Sequence, residues 1–434
     1  MDRIDMLHGV IERHGVDVFH AREGKIRKVL SETALTFADV EELVAICSAD
    51  RRLVKRILSE PDISKTRDEQ KMLVNAVDGR SIAALKDVHT ACYNYGERSI
   101  SRTDGEFDDG KYVYTIVPAR KQCLNLVRPA ASAGYDLDIP DTVTIDRKEY
   151  KVVSLADGCF EGNRDIVSVS LPAGLETIGR NAFCNCSSLS RIELPRHLKS
   201  IGDNAFAYTA VESVVFQGYL EEVGNMAFYT CRGLRTVEIS KRTGQIGLGA
   251  FAGCSSLETF TVSDKNGRFM FQDGVLYSRK QDRIVQVAGT FRGKLSPPRS
   301  VLTVEQYAAE DCVGITELDL PLSVTSLGAY AFKGCTGIAK AKFPTSLERI
   351  GEGTFEGCTS LRTIDVPDSV KVIGKGAFRN CTSLETGEIA GTVRYRDQRI
   401  FEGCTGLNRI TIRKNSEHVA ADFPKNTRVK FTHE

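Results

Sequence analysis

The sequence predicts an α+β chain: a solenoid of short parallel strands preceded by a small all-helical domain. Three observations carry this. A Phe recurs every 22 or 23 residues, at Phe160, Phe183, Phe206, Phe228 and Phe251, and again at Phe332, Phe355, Phe378 and Phe401. Each recurrence is followed by a stretch that alternates apolar and polar residues, as a short strand does. Residues 1–104 instead space their apolar residues as helices do.

The first 104 residues read as about five helices. "IDMLHGVIERHG" is one, with Gly15 as its stop. "TFADVEELVAICSADRRLVKRILSEP" reads as two, with Asp50 as an N-cap and Pro61 as a terminator. "TRDEQKMLVNAVDG" and "SIAALKDVHTACYNYG" add two more. His8, His14 and His20 stand six apart, a spacing that puts no two of them on one helix face, so they read as surface residues and not a metal site. "SRTDGEFDDGK" reads as a linker, and 105–155 as a β-rich cap with a turn at Asp146–Lys148.

From 156 to 434 the period rules. Counting from each Phe, an aliphatic lies five before and a Gly follows it, as in Ile178–Gly179, Ile201–Gly202 and Ile350–Gly351. Three after the Phe stands Cys186, Cys231, Cys254, Cys312, Cys335, Cys358, Cys381 or Cys404. Six after it comes Leu or Ile, then the strand, then in several units a Pro that halts pairing. Ala309 takes the Phe position in "YAAEDC", which makes ten units with one degenerate member. The "GxxAFxxC" stretch lacks strand alternation and suits a tight helical or 3₁₀ turn. No unit can bury its own apolar face; stacked units bury a continuous one. Between Phe251 and Ala309 there are twelve residues more than two periods allow, and "SDKNGRFMFQDGVLYSRKQDRIVQVAG" reads as a hairpin near 263–300 that leaves the solenoid, turning at the Asp-Gly pair. The chain then ends in two strand-like pieces, read as a C-terminal cap.

The repeated form IGxxAFxxCxxLxxIxLP resembles the leucine-rich repeat of bacterial BspA-like proteins over about 156–413, and the "DGVLYS" element at Asp273–Ser278 strengthens the likeness. The resemblance implies a right-handed leucine-rich repeat solenoid used to bind other macromolecules, often in adhesion at cell surfaces. It implies no enzymatic activity and no cofactor.

The Cys row has a structural and a chemical reading. A ladder presents thiols in a line, whereas zinc needs four converging ligands and a nucleophile is needed once, not eight times. The row therefore reads as buried rungs whose apolar surroundings keep the thiols protonated. Cys184, one after its Phe, falls in a row with Glu161, Ala207, Tyr229, Lys333 and Arg379 that reads as exposed.

Ten after the Phe, the outward-facing strand position reads Ser170, Glu193, Glu238, Thr261, Asp319, Lys342, Asp365, Glu388 and Thr411. The acids Glu193, Glu238, Asp319, Asp365 and Glu388 form a candidate interaction face for a basic partner, set against the plainer reading of a solvated face. A formal net charge of +1 gives no reason to expect nucleic acid. No apolar run approaches a membrane span, and no secretory signal opens the chain. HExxH, GxSxG, Walker and GxGxxG patterns are missing, so neither metal nor cofactor is expected. These features predict a non-enzymatic, cytoplasmic scaffold for a protein partner, with cell-surface adhesion as the alternative. Oligomeric state is not legible.

Overall fold

A computed structural model describes residues 106–108, 111–117, 120, 122–129, 135–145, 148–390, 394–395, 399–413 and 423–432. It also describes the helix Glu23–Ser31 and the single residues Leu7, Val10 and Leu43. The chain forms two compact units, one of 1–107 with 114–119, the other of 108–113 with 120–434.

In the first unit the helix Glu23–Ser31 buries Ile26, Val29 and Leu30, spaced three and four apart on one face, and exposes Lys25 and Lys28. Lys28 sits in the last turn, where its charge complements the carbonyl end of the helix. No helix was expected in this stretch. Most of the five-helix reading of 1–104 lies outside the described residues.

The second unit is a solenoid with two strand ladders. The first runs in parallel through Cys123–Pro129, Lys148–Leu155, Thr177–Ile178, Ser200–Ile201, Glu222–Val223 and Gln245–Ile246. Thr142–Ile145 adds an antiparallel strand to Lys148–Leu155. The ladder resumes with Arg283–Val287, Thr303–Val304, Ser326–Leu327, Arg349–Ile350, Val372–Ile373 and Arg394–Tyr395. The second ladder holds the alternating strands, and it comes in three blocks. These are Asp136–Asp138 to Arg191–Ile192, Ser213–Val215 to Thr259–Val262, and Gly293–Leu295 to Arg428–Thr432. Partners on successive rungs stand 23 apart, as in Thr236↔Thr259 and Thr363↔Thr386.

The "AFxxC" stretch is not a 3₁₀ helix. Its amides alternate between two jobs. Asn181, Phe183 and Asn185 donate to the next rung, to the carbonyls of Asp203, Ala205 and Ala207 at 2.7–2.9 Å. Ala182, Cys184 and Cys186 close local turns onto residues three back. The alternation places a left-handed residue two before and two after the Phe position in successive rungs: Asn181 and Asn185, Asn204 and Tyr208, Met226 and Thr230, Tyr307 and Asp311 all have φ between 50° and 61°. Asn tolerates this conformation best among non-glycines; glycine replaces it at Gly249 and Gly253.

The Phe rings form two stacks inside the coil. Phe160, Phe183, Phe206, Phe228 and Phe251 lie 5.1–5.6 Å apart with planes within 10°. Phe332, Phe355, Phe378 and Phe401 lie 5.4–5.7 Å apart. These spacings follow the roughly 4.8 Å strand separation, so each ring is carried by its own rung.

Between the stacks, the segment expected to leave the solenoid is built into it. Phe269–Gln272, Val275–Ser278 and Arg283–Val287 form an antiparallel meander, and its last strand pairs in parallel with Thr303–Val304. Asp273 and Gly274 have φ of 50° and 78°, both positive as the Asp-Gly hairpin turn requires. Val287 donates its amide to Ala308, as Phe183 does to Ala205 and Phe355 to Ala377, each the residue before the next Phe, so Val287 anchors a rung of its own. The periodic reading missed this rung because it has neither Phe nor Cys. Its one trace in the sequence is that Val287 lies 22 before Ala309.

Among the described residues, no helix is long and apolar enough to cross a membrane.

Candidate binding face

Exposed positions of the second ladder come into register across rungs. Val215 faces Glu238, which faces Thr261. Asp319 faces Lys342, and Asp365 faces Glu388, which faces Thr411. The strand period of two, anchored by buried Val237, Phe260, Leu318, Ile364 and Ile410, turns these side chains outward.

The five candidate acids do not share one environment. Asp319 takes the Lys294 ammonium at 2.5 Å and lies 3.9 Å from Lys342. The hydrogen bond from Lys294 holds its carboxyl below the ordinary value. Asp365 and Glu388 gather on one side chain, with Arg413 Nη1 2.9 Å from Asp365 and 3.5 Å from Glu388. Arg413 also donates to the Val366 carbonyl and approaches Asp368 at 3.3 Å. In the C-terminal block, therefore, basic neighbours already offset the acids. Neither Lys294 nor Arg413 belongs to the row that the period singled out, so the sequence reading missed both. The signal for Arg413 was its place two residues beyond Thr411, on the same outward-facing period.

Glu193 and Glu238 are exposed and make no ion pair among the described residues. Glu193 stands in a cleft of about 820 Å³ with Asp136, Ser168, Arg191, His197 and Gln217. The cleft lies where the second ladder is interrupted. Glu212 donates its amide to Ser190, and Tyr219 to Arg196, so the two rungs join on either side. Between those joints Arg191–Ile192 and Ser213–Val215 belong to separate sheets. The rung of Phe206 is one residue short, which shifts its strand against its neighbour.

The Cys row lies inside. All eight thiols are buried, and none is in a disulfide. Seven of them donate to the carbonyl of the preceding Phe-position residue or its counterpart at 2.9–3.2 Å: Cys186 to Phe160, Cys231 to Phe206, Cys254 to Phe228, Cys335 to Ala309, Cys358 to Phe332, Cys381 to Phe355 and Cys404 to Phe378. Cys312 approaches the Val287 carbonyl at 3.7 Å. Burial pushes Cys186 and Cys312 up to about 12, and Cys335 and Cys358 upward as well. Thr209 takes the place of one thiol but donates within its own rung, to the Phe206 carbonyl three residues back, at 2.9 Å. Cys184 corrects the expectation of an exposed thiol: it is buried, and desolvation raises its pKa. Among the described residues no group of three or more His, Cys, Asp or Glu could hold a metal ion.

The defining pattern of the BspA type leucine rich repeat region matches residues 153–273 and 302–428, in six copies and over more than half of the chain. Solved structures share the fold. The pneumococcal vaccine antigen PcpA aligns over 75% of this chain and 93% of its own, with a TM-score of 0.60 at 18% identity. A leucine rich cell surface protein from Faecalibacterium prausnitzii aligns over 72% and 95%, with a TM-score of 0.50 at 24% identity. No curated protein sequence matches.

Proposed function

The chain belongs to the BspA type leucine-rich repeat family, and from that premise we propose that it is a binding protein displayed at a bacterial cell surface. Its strand face would be the docking surface and a protein of the host or of a neighbouring cell its partner. The observation that carries the docking role is the in-register strand face. Within each of its three blocks the exposed residues sit on hydrogen-bonded rungs, so the surface is ordered before a partner arrives and little ordering entropy opposes binding. The surface location is supported by the described relatives, one of them named as a cell surface protein and another as a vaccine antigen; they favour it over the cytoplasmic expectation. Within the face, Glu193 and Glu238 are the acids free to meet a basic partner. Asp319, Asp365 and Glu388 would first have to exchange their partners Lys294 and Arg413.

A second reading, an intracellular scaffold, is favoured by one observation: all eleven described cysteines are free thiols, as in reducing compartments. Protease treatment of intact native cells separates the two readings. Digestion of the chain without lysis supports display; full protection until lysis supports the scaffold. For the face itself, Glu193→Lys with Glu238→Lys should weaken partner binding and flatten its salt dependence, measured by biolayer interferometry against the partner recovered from those cells. Unchanged affinity would remove the two acids from the site.

A further inference from the structure

One edge of the solenoid, where each strand turns back, differs between its two halves. In the C-terminal half, the residue fourteen after the Phe position is Ser323, Ser346 or Ser369. Each donates its hydroxyl to a carbonyl of the preceding rung, Val301, Val324 or Leu347, at 2.7–2.9 Å. These serines serve the coil. In the N-terminal half the same edge carries His197, Tyr219, Arg242 and Lys265 on four successive rungs, with Arg196 and Lys241 beside them. His197 also reaches back, with Nδ1 3.2 Å from the Ala173 carbonyl; the side chains of Tyr219, Arg242 and Lys265 make no such bond among the described residues, and rungs of the other half close with a serine at this place.

The six side chains are exposed and built into one ridge. His197 and Tyr219 stack at 5.8 Å with planes 11° apart. The Arg242 guanidinium lies 4.6 Å from the Tyr219 ring centroid. Asn266, on the next rung, donates to the carbonyls of Ser240 and Thr243 at 2.7 and 3.0 Å and holds the turn bearing Lys265 against the one bearing Arg242. Arg196, Lys241, Arg242 and Lys265 form no ion pair among the described residues, although Asp264 precedes Lys265 in the chain and Glu221 lies on the rung next to Arg242. At about 4.8 Å per rung, the ridge sets cations along a track of about 15 Å, and Arg196 and His197 also line the cleft at Glu193.

We propose that this ridge binds a linear anionic polysaccharide, one carrying sulfate, phosphate or carboxylate groups along its length. A track with Arg196, Lys241, Arg242 and Lys265 on three of four successive rungs suits a repeating polymer better than a single anion. Tyr219 has His197 against its ring and Arg242 over it, which leaves no free aromatic platform for the base stacking that single-stranded nucleic acid uses. The turn backbone is already bonded from rung to rung, as in Tyr219 to Arg196 and Gly244 to Glu221, so it presents no open edge for an added peptide strand. The inference goes beyond the protein-docking role of the strand face and stands without it.

The test uses the full chain and fluorescein-labelled heparin fragments as the probe, with binding followed by anisotropy from 50 to 300 mM NaCl. The wild-type chain should bind, and its affinity should fall steeply with salt as counterions are released. The variant Lys241→Ser, Arg242→Ser, Lys265→Ser installs the small residue type of the other half. It should bind about tenfold or more weakly, with a shallower salt slope, while its thermal unfolding stays close to wild type. A control that removes three cations elsewhere, Lys340→Ser, Arg349→Ser, Lys371→Ser, should keep wild-type affinity. The proposal is overturned if wild type fails to bind heparin at 50 mM salt, or if the control loses as much affinity as the ridge variant. Tighter binding of a single-stranded oligonucleotide or of poly-glutamate at equal salt would overturn the polysaccharide assignment.

Discussion

A thiol three places after a Phe does in this chain what a backbone donor does elsewhere: it satisfies a carbonyl inside a closed turn. Phe332 O accepts the Cys335 amide at 3.2 Å and the Cys358 thiol, also at 3.2 Å. Cys358→Ser should therefore cost little, because the hydroxyl can donate in place of the thiol. Cys358→Val removes that donor and should cost about 1 kcal/mol, read from urea unfolding midpoints. Labelling tests the row as a whole. Closed off from solvent inside the coil, the eight thiols should react with a thiol reagent at pH 8 only after denaturation; fast native labelling of most of them would contradict the assignment. The ring below is costlier to lose. Phe355 is fully buried between Phe332 and Phe378, and Phe355→Ala should cost about 3–5 kcal/mol.

At the scale of one rung, the glycine after each aliphatic is set by a neighbour's backbone. A Cβ on Gly351 would lie 2.6 Å from the Ala329 amide nitrogen of the previous rung, which cannot move aside without breaking the turn. Gly351→Ala should destabilise by about 1–3 kcal/mol, whereas Gly174→Ala, with nothing within 4 Å, should be silent. Thermal melts of the two variants check this contrast. Much of the rung was legible in the sequence. The Phe, Cys, Leu and Gly positions report packing, and packing repeats with the period. The turn's left-handed residues were not legible, because Asn, Tyr, Met, Thr, Asp and Gly all occupy them and no residue type recurs. Cys184 was misread for a related reason: its row holds both exposed and buried residues, from Glu161 to Ala207, so the row does not predict burial.

At the scale of the molecule, rungs on either side of the inserted segment are joined at a seam. There Glu310, with 2% of its side chain exposed, accepts from Lys333 at 2.8 Å and from Tyr229, 81 residues away, at 3.2 Å. Burial is the largest influence and raises the Glu310 carboxyl above its ordinary 4.5, against the opposing pull of Lys333 and Tyr229. The folded chain thus holds this proton to higher pH than the unfolded chain does. The corresponding stability is fully present below pH 4.5 and is lost as pH rises through the folded value. Glu310→Gln should lack that decline, so melting temperatures of wild type and variant should diverge from pH 4 to 7; parallel curves would count against it. The seam escaped sequence reading because it joins rungs on either side of an insertion, where the period is broken. The acid row was legible as a row, but its pairing with Lys294 and Arg413 was not, since those cations lie outside the repeated position.

The central claim is that the strand face docks a partner. A photo-crosslinking amino acid placed at Val215, in register with Glu238 on that face, and separately at Tyr208, on the turn side, tests it in native cells. Both positions are exposed. A discrete adduct from position 215 and none from position 208 is the result expected. Adducts from position 208 alone, or from neither position, would contradict it.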